Sequence, residues 1–374
     1  MAEGHGGTVT RPLRVLHVLH TFITGGMERG LTHVINHGSG KIEHVLCCLT
    51  RSGEMEKLLP PGTRVVAMGK PPGNSVRFLW RLGRALKELA PDVVHTRNWS
   101  GYDGVIAARL AGLRRVVHGE HGWDMNDAAG TNRKRRAIRR FLQRWVREYT
   151  CVSRDIASWL ERDVGIRRRI TQIYNGVDTD AMRPGDGAAV REELGLSGAS
   201  FVAGIVGRLD PIKDHPSLFR ASAAVAAEVP GFRLVVAGEG PEGERLRRLA
   251  GPEVVFLGNR PDVPRILRAL DLFVLTSHNE GISNTILEAM ASALPVLATR
   301  VGGNPEPVDD GRTGTLVPPG APDVLAPALL RYVRDRDLGH AHGASGRADA
   351  LERFSIRRMV EEYEQVWLRV GARA

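Results

Sequence analysis

The chain has no apolar run of the ~18 residues that a membrane-spanning helix requires. Its start, MAEGHGGTVTRPLRVLHVLH, lacks the apolar core and cleavage site of a signal peptide, so a cytoplasmic protein is expected. Cysteine is scarce. Cys47, Cys48 and Cys151 are an odd set without metal-ligand spacing, which fits reduced, structural thiols. There is no helix-turn-helix, zinc-finger or RNP-like pattern, so nucleic acid is not an expected partner. No acidic cluster is assigned to a metal; Asp124 and Asp127, after HGW, receive no role, and neither a metal nor any other cofactor is expected to be required.

What remains is ordinary soluble usage, 42% hydrophobic and 25% charged over 374 residues, enough for two domains. The charge is uneven: 30 Lys and Arg against 17 Asp and Glu through residue 185, and 22 against 25 afterwards. Much of the first-half excess lies in TNRKRRAIRRFLQRWVREY, with eight basic residues from Arg133 to Arg147 and Ile138, Phe141, Leu142, Trp145, Val146 and Tyr149 at helical spacing. The spacing predicts a basic amphipathic helix over 133–149. Either its apolar stripe packs on its own domain with the arginines solvated, or it meets an anionic membrane surface or a phosphorylated acceptor.

Short β-branched runs alternate with helix-like stretches. RVLHVLH, HVLCCLT, RVVAM, DVVHT, RVVHGE and YTCVS come first. After the Pro/Gly-rich DTDAMRPGDGA, the alternation restarts with FVAGIVG, FRLVVAGE, EVVFLG, LFVLTS, PVLATR and GTLVP. This predicts an α/β chain of two Rossmann-like, doubly wound parallel sheets facing across a cleft, with chemistry in the loops after the strands.

Three such loops carry the candidates. GEGPEG, Gly238 to Gly243, matches G-x-G-x-x-G, but the next strand ends in Gly258 and Asn259 instead of the acidic residue a dinucleotide enzyme needs; it reads as a tight strand-to-helix turn. GRLDPIKDH sets Arg208 and Lys213 at a strand end, beside Gly207, which permits close backbone approach; two such cations suit a diphosphate. SHNEGISNTILEAMAS places Glu280 just outside a predicted helix starting near Ser283, and Glu288 just over a turn inside it. Eight positions span roughly 12 Å if helical, at ~1.5 Å per residue. That is the reach of an activated sugar: one carboxylate can hold sugar hydroxyls and the other ribose hydroxyls, with the diphosphate between them at the helix N-terminus. The bland alternative is a helix-capping Glu280 and a Glu288 paired to a neighbouring cation.

GRLDPIK, the Glu280-to-Glu288 spacing, LERFS and the early GGMERG together resemble glycosyltransferase family 4, the retaining GT-B enzymes, from about residue 13 onward. GGMERGLTHVINH, PDVVHTRN, VVHGEHGWD and IYNGVDT look closer still to sugar transferases of exosortase (PEP-CTERM) exopolysaccharide loci. The resemblance implies an acceptor-side domain (11–185), a nucleotide-sugar domain (186–354) and a C-terminal helix (355–374) crossing back to the first. It implies that Arg208 and Lys213 neutralise the leaving diphosphate and Glu280 orients the sugar. Backbone N–H groups from Gly281, Ile282, Ser283, Asn284 and Thr285 assist, Glu288 binds the ribose, and Asn259 and Arg260 border the base. Gly25 and Gly26 form a flexible loop at the diphosphate, and His121, in preference to His118, points at the sugar. The implied reaction is retaining transfer from a nucleoside-diphosphate sugar to a lipid-linked saccharide. A nucleotide-sugar epimerase and a non-catalytic lipid- or polysaccharide-binding protein are the alternatives.

Overall fold

The computed structural model describes residues 11–372, apart from 24, 74, 124–126, 128 and 129. Two wholly parallel sheets account for the chain's alternation. The first contains β1 (Leu13–Leu19), β2 (Ile42–Cys48), β3 (Arg64–Ala67), β4 (Val93–Arg97), β5 (Val116–Glu120), β6 (Glu148–Cys151) and β7 (Arg169–Gln172), in the order β3-β2-β1-β4-β5-β6-β7. The second contains β8 (Phe201–Val206), β9 (Phe232–Ala237), β10 (Val254–Gly258), β11 (Leu272–Leu275), β12 (Val296–Thr299) and β13 (Gly314–Val317), in the order β10-β9-β8-β11-β12-β13. Each order reverses once, at β1/β4 and at β8/β11. At such a reversal neighbouring crossovers leave the sheet in opposite directions, opening a crevice beyond the strand ends. Every residue of β4, β5, β8 and β11 is buried, as strands covered by helices on both faces must be.

β7, RITQ, escapes a reading based on apolar runs, because as an edge strand its residues are only partly buried or exposed. The basic helix is shorter than its spacing predicts. It runs from Arg133 to Leu142, tightens into a 3₁₀ turn over Gln143–Trp145, and gives way to β6, so Tyr149 is a sheet residue.

The last helix, Ile356–Gly371, starts at Ser355, whose hydroxyl accepts from the Arg358 N–H. Met359, Val360, Tyr363, Val366 and Trp367 lie on one face and are buried. That face covers the first sheet: the Trp367 indole donates to His95 Nδ1 at 3.0 Å, and Glu364 accepts from the Ser39 N–H (2.7 Å) and hydroxyl (2.6 Å). The chain therefore ends on the domain where it began. No helix among the described residues is long and apolar enough to cross a membrane.

Candidate active site

The loop leaving β8 is shaped by two glycines of its neighbour. A Cβ on Gly238 (φ +142°) would lie 1.9 Å from the Gly207 carbonyl oxygen, and one on Gly240 would lie 2.5 Å from that of Leu209. The G-x-G of GEGPEG thus lets one backbone nest against another, which accounts for the motif without a dinucleotide. From this base Arg208 projects toward solvent, gripped by the buried Asp210. The Lys213 end is braced from β11: the Thr276 hydroxyl donates to the Lys213 carbonyl at 2.8 Å, and the His278 N–H to that of Ile212 at 2.7 Å.

Glu280 and Lys213, assigned to different parts of a ligand by sequence, meet directly. Lys213 Nζ lies 2.5 Å from Glu280 Oε1, which also accepts from the Ser277 hydroxyl at 2.7 Å. Both side chains are largely enclosed, 19% and 13% exposed, where an unpaired charge is costly and each supplies the other's counter-ion. Gly302 and Gly303 close the floor. Any Cβ there would come within 2.0 Å of the carbonyl of Glu280 or 1.9 Å of that of Gly281.

The helix after this loop, Asn284–Ala291, is capped by Ser283, whose hydroxyl accepts from the Ile286 N–H at 3.4 Å. The N–H groups of Asn284 and Thr285, its first two residues, have no intrahelical acceptor and face the loop. A turn further in, Glu288 is 6% exposed. Burial pushes its carboxyl up to about 7, with Arg29, 3.5 Å away, acting in the opposite direction. Glu280 is therefore not the helix cap, and Glu288's cation comes from the other domain.

That domain contributes three further edges. Gly25, in extended conformation, precedes the helix Gly26–Asn36, and the Gly26 carbonyl accepts from Asn284 Nδ2 at 3.3 Å. Asn175 Nδ2 in turn donates to Asn284 Oδ1 at 2.7 Å. His121 lies one residue beyond β5; its backbone N–H donates to Asn98 Oδ1 (2.7 Å), and its ring Nε2 is buried without a partner. Burial and the Arg97 guanidinium push this imidazole down to about 3, so it is neutral. A Cβ on Gly281 would lie 2.9 Å from Gly122 Cα and 3.2 Å from the His121 carbonyl, which sets His121 beside the Glu280 loop. His118 is a core residue instead, 4.1 Å from the Tyr102 ring centroid and 2.7 Å from the Thr96 hydroxyl.

Other expectations fare differently. Asn259 is exposed at the end of β10, and Arg260 is already held by Asp262 (2.7 Å) and Glu193 (3.0 Å). Asp127 accepts from the Asn132 N–H at 3.1 Å in a turn, and Asp124 lies outside the described residues. Asp178 and Asp180 form an Asp-x-Asp pair in sequence, but Asp178 Oδ1 accepts from the Asp180 and Ala181 N–H groups in a local turn. Among the described residues no group of three or more His, Cys, Asp or Glu could hold a metal.

Sequence reasoning missed Arg29, Asn98, Asn175 and Glu306. Glu306 accepts from the Arg154 (2.9 Å) and Asp155 (3.1 Å) N–H groups at the start of a first-domain helix and from the Tyr174 hydroxyl (2.9 Å), tying the domains together. GGNPE carries two glycines and an acid after a strand, which is the signal that could have found it.

The arginines of the basic helix are mostly engaged internally. Arg139 is 4% exposed, 2.8 Å from Glu120, and about 5 Å from the Trp99 and Trp159 rings. Arg136 donates to the Gly130 carbonyl (2.6 Å) and Arg140 to that of Val164 (2.7 Å), while Arg135 lies over the Trp99 ring. These side chains were expected to be solvated or lipid-facing. Arg135, Arg136 and Arg139 turn inward, and Arg140 stays exposed while donating to a backbone carbonyl, because neighbouring elements present acceptors and aromatic faces that a linear reading cannot place.

Residues 24–181 match the family model described as Glycosyltransferase Family 4, and residues 200–335 that described as Glycosyl transferases group 1. The chain is 31% identical over 316 residues, 79% of its length and 80% of the other's, to the Escherichia coli UDP-Gal:alpha-D-GlcNAc-diphosphoundecaprenol alpha-1,3-galactosyltransferase. It is 27% identical over 268 residues, 70% of each protein, to the N-acetyl-alpha-D-glucosaminyl L-malate synthase of Bacillus anthracis. Among solved structures, Anabaena Alr3699/HepE in complex with UDP and glucose superposes with a TM-score of 0.81 at 23% identity, covering 94% of this chain and 98% of that one. With the paired parallel sheets and the Lys213–Glu280 pair, these likenesses make the chain a GT-B glycosyltransferase of family 4.

Proposed function

We propose that this glycosyltransferase moves a hexosyl unit, with retention at the anomeric carbon, from a nucleoside-diphosphate sugar to a hydroxyl of a lipid-linked saccharide. The setting is exopolysaccharide or other surface-glycan synthesis, as in the exosortase-associated loci its motifs resemble. The observation that carries the reading is the Lys213–Glu280 pair beside the free N–H groups of Asn284 and Thr285. When a donor enters, Lys213 and Arg208 turn to the diphosphate, Glu280 and the neutral His121 take sugar hydroxyls, and Glu288 takes the ribose diol. Gly25, Gly26 and Gly207 let backbone approach the phosphates, while Asn259 and Arg260 border the base. The bond from anomeric carbon to phosphate oxygen breaks and the acceptor oxygen bonds to that carbon on the same face. The acceptor's proton passes to the departing phosphate. Charge on the leaving diphosphate is met by Arg208, Lys213 and the helix terminus, the form of stabilisation that lowers such barriers most. No metal or other cofactor is part of this scheme.

The test is a panel of UDP-, GDP- and TDP-sugars with a diphosphate-lipid-linked saccharide. One donor is expected to give a glycosylated acceptor, and at 100 times its dissociation constant to add about 2.7 kcal/mol of stability. An epimerised sugar formed without acceptor, or stabilisation by no nucleotide sugar, overturns the reading in favour of its rivals.

For an acceptor anchored in lipid, the same reading has the enzyme work at the cytoplasmic face of a membrane. The basic groups left exposed on the segment, Arg133, Lys134, Arg140, Arg144 and Arg147 with Phe141, support this. Binding to vesicles containing phosphatidylglycerol is expected, weakened by about 1 kcal/mol per neutralised cation. Equal sedimentation with neutral vesicles refutes the membrane contact.

A further inference from the structure

The helices Gly26–Asn36 and Asn284–Ala291 belong to opposite domains, yet their first turns touch. One turn further along each, Arg29 Nη1 lies 3.5 Å from Glu288 Oε1, the arginine half exposed and the glutamate almost wholly buried. Glu288 receives no compensating charge from its own domain. The strands packed against its helix, Leu272–Leu275 and Val296–Thr299, are uncharged. The helix Arg336–Arg353 meets it through Gly346 against Met290, and Arg347 there donates to the backbone carbonyls of Ala291 and Met182. From the first domain, Arg29 is the charged group acting on Glu288; His33 lies within reach of Arg29 and in turn faces His37 and Asp178.

We propose that Arg29 is a positioning residue of the donor site supplied by the opposite domain: it favours the charged form of Glu288 and aims the carboxylate at a ribose diol, so domain closure and nucleoside capture are one event. The inference rests on the donor reading above. A carboxylate accepts both diol hydrogen bonds, whereas a carboxylic acid has to spend one oxygen as a donor. With the domains apart, Arg29 withdraws and Glu288 is left in apolar surroundings that favour its neutral form. The grip on the ribose then loosens, which suits product release.

The sign of the pH effect follows. The competent form is the ionised one, so affinity falls as pH drops through about 7. Removing Arg29 takes away the group that favours ionisation and moves this fall to higher pH.

UDP and GDP titrated calorimetrically into the full chain, from about pH 6 to about pH 9, decide it. With the nucleotide that binds wild type, a rise of one pKa unit at Glu288 makes Arg29→Met bind about fivefold more weakly near pH 7 and about tenfold more weakly near pH 6. The gap narrows toward pH 9, and Arg29→Lys restores most of the affinity. A loss of the same factor at every pH, or no loss, in Arg29→Met overturns the inference while a weakened Glu288→Gln keeps the donor reading standing. Wild-type affinity in Glu288→Gln sinks the ribose assignment itself. Arg29 is half exposed, and an unchanged thermal midpoint for Arg29→Met confirms that binding, not folding, is being read.

Discussion

Lys213→Ala lowers the rate of sugar transfer by about 10²–10³-fold, the usual cost of losing one preorganised charge-stabilising group. Two effects add. In the proposed mechanism the leaving diphosphate loses a cation at the strand end, and Glu280, only 13% exposed, keeps the Ser277 hydroxyl but loses the Lys213 ammonium. The loss is expected mainly in kcat, because charge on the phosphate grows as the bond breaks, so the lysine contributes more to the transition state than to the bound donor. Lys213→Arg keeps the charge but presents a planar fork where the loop holds a compact ammonium, and should recover only part of the rate. Initial rates with saturating acceptor separate the cases. Wild-type turnover in both Lys213→Ala and Glu280→Ala leaves the proposed mechanism without a basis.

Arg139→Leu costs about 3–5 kcal/mol of stability, the range for removing one partner of a buried ion pair. Arg139 and Glu120 are both buried, 2.8 Å apart. Burial alone would raise the Glu120 carboxyl, yet Arg139 and His118 hold it down to about 2. Without the guanidinium a fully buried carboxylate remains, and the Trp99 and Trp159 rings lose the cation stacked on them. Chemical denaturation of Arg139→Leu, Glu120→Gln and the double variant measures the coupling. The double variant should be more stable than Arg139→Leu alone, since removing both charges leaves nothing uncompensated. Strict additivity of the two losses contradicts this account. The same reasoning makes Arg139 a poor choice for testing membrane binding, because its neutralisation would be read as unfolding.

The sheets were legible because buried parallel strands are largely apolar and β-branched, and runs such as FVAGIVG and FRLVVAGE fit no other element as well. The loops carrying Arg208, Lys213 and Glu280 followed from strand ends, and Glu288 from the helix that the last of them opens. What one dimension hides is pairing. Lys213 and Glu280 are 67 positions apart, and nothing in either motif says that they share a hydrogen bond without ligand. Arg29 looks like any solvated arginine on an amphipathic helix until the second domain is set against it. The basic stretch misled for the converse reason: eight cations in fifteen positions, 133–147, look solvated unless the acceptors behind them are known.

The floor of the cleft is made of backbone lying on backbone, with Gly238 on Gly207, Gly240 on Leu209, and Gly302 and Gly303 on Glu280 and Gly281. A methyl group on Gly238, Gly240, Gly302 or Gly303 displaces a loop that carries a charged side chain. This divides the protein into a part that selection can rework and a part it cannot. On the donor reading proposed above, new donor preferences arise at the rim, from exposed side chains such as Asn259 and His278, while the smallest residues, which offer no side chain to recognise anything, tolerate the least change.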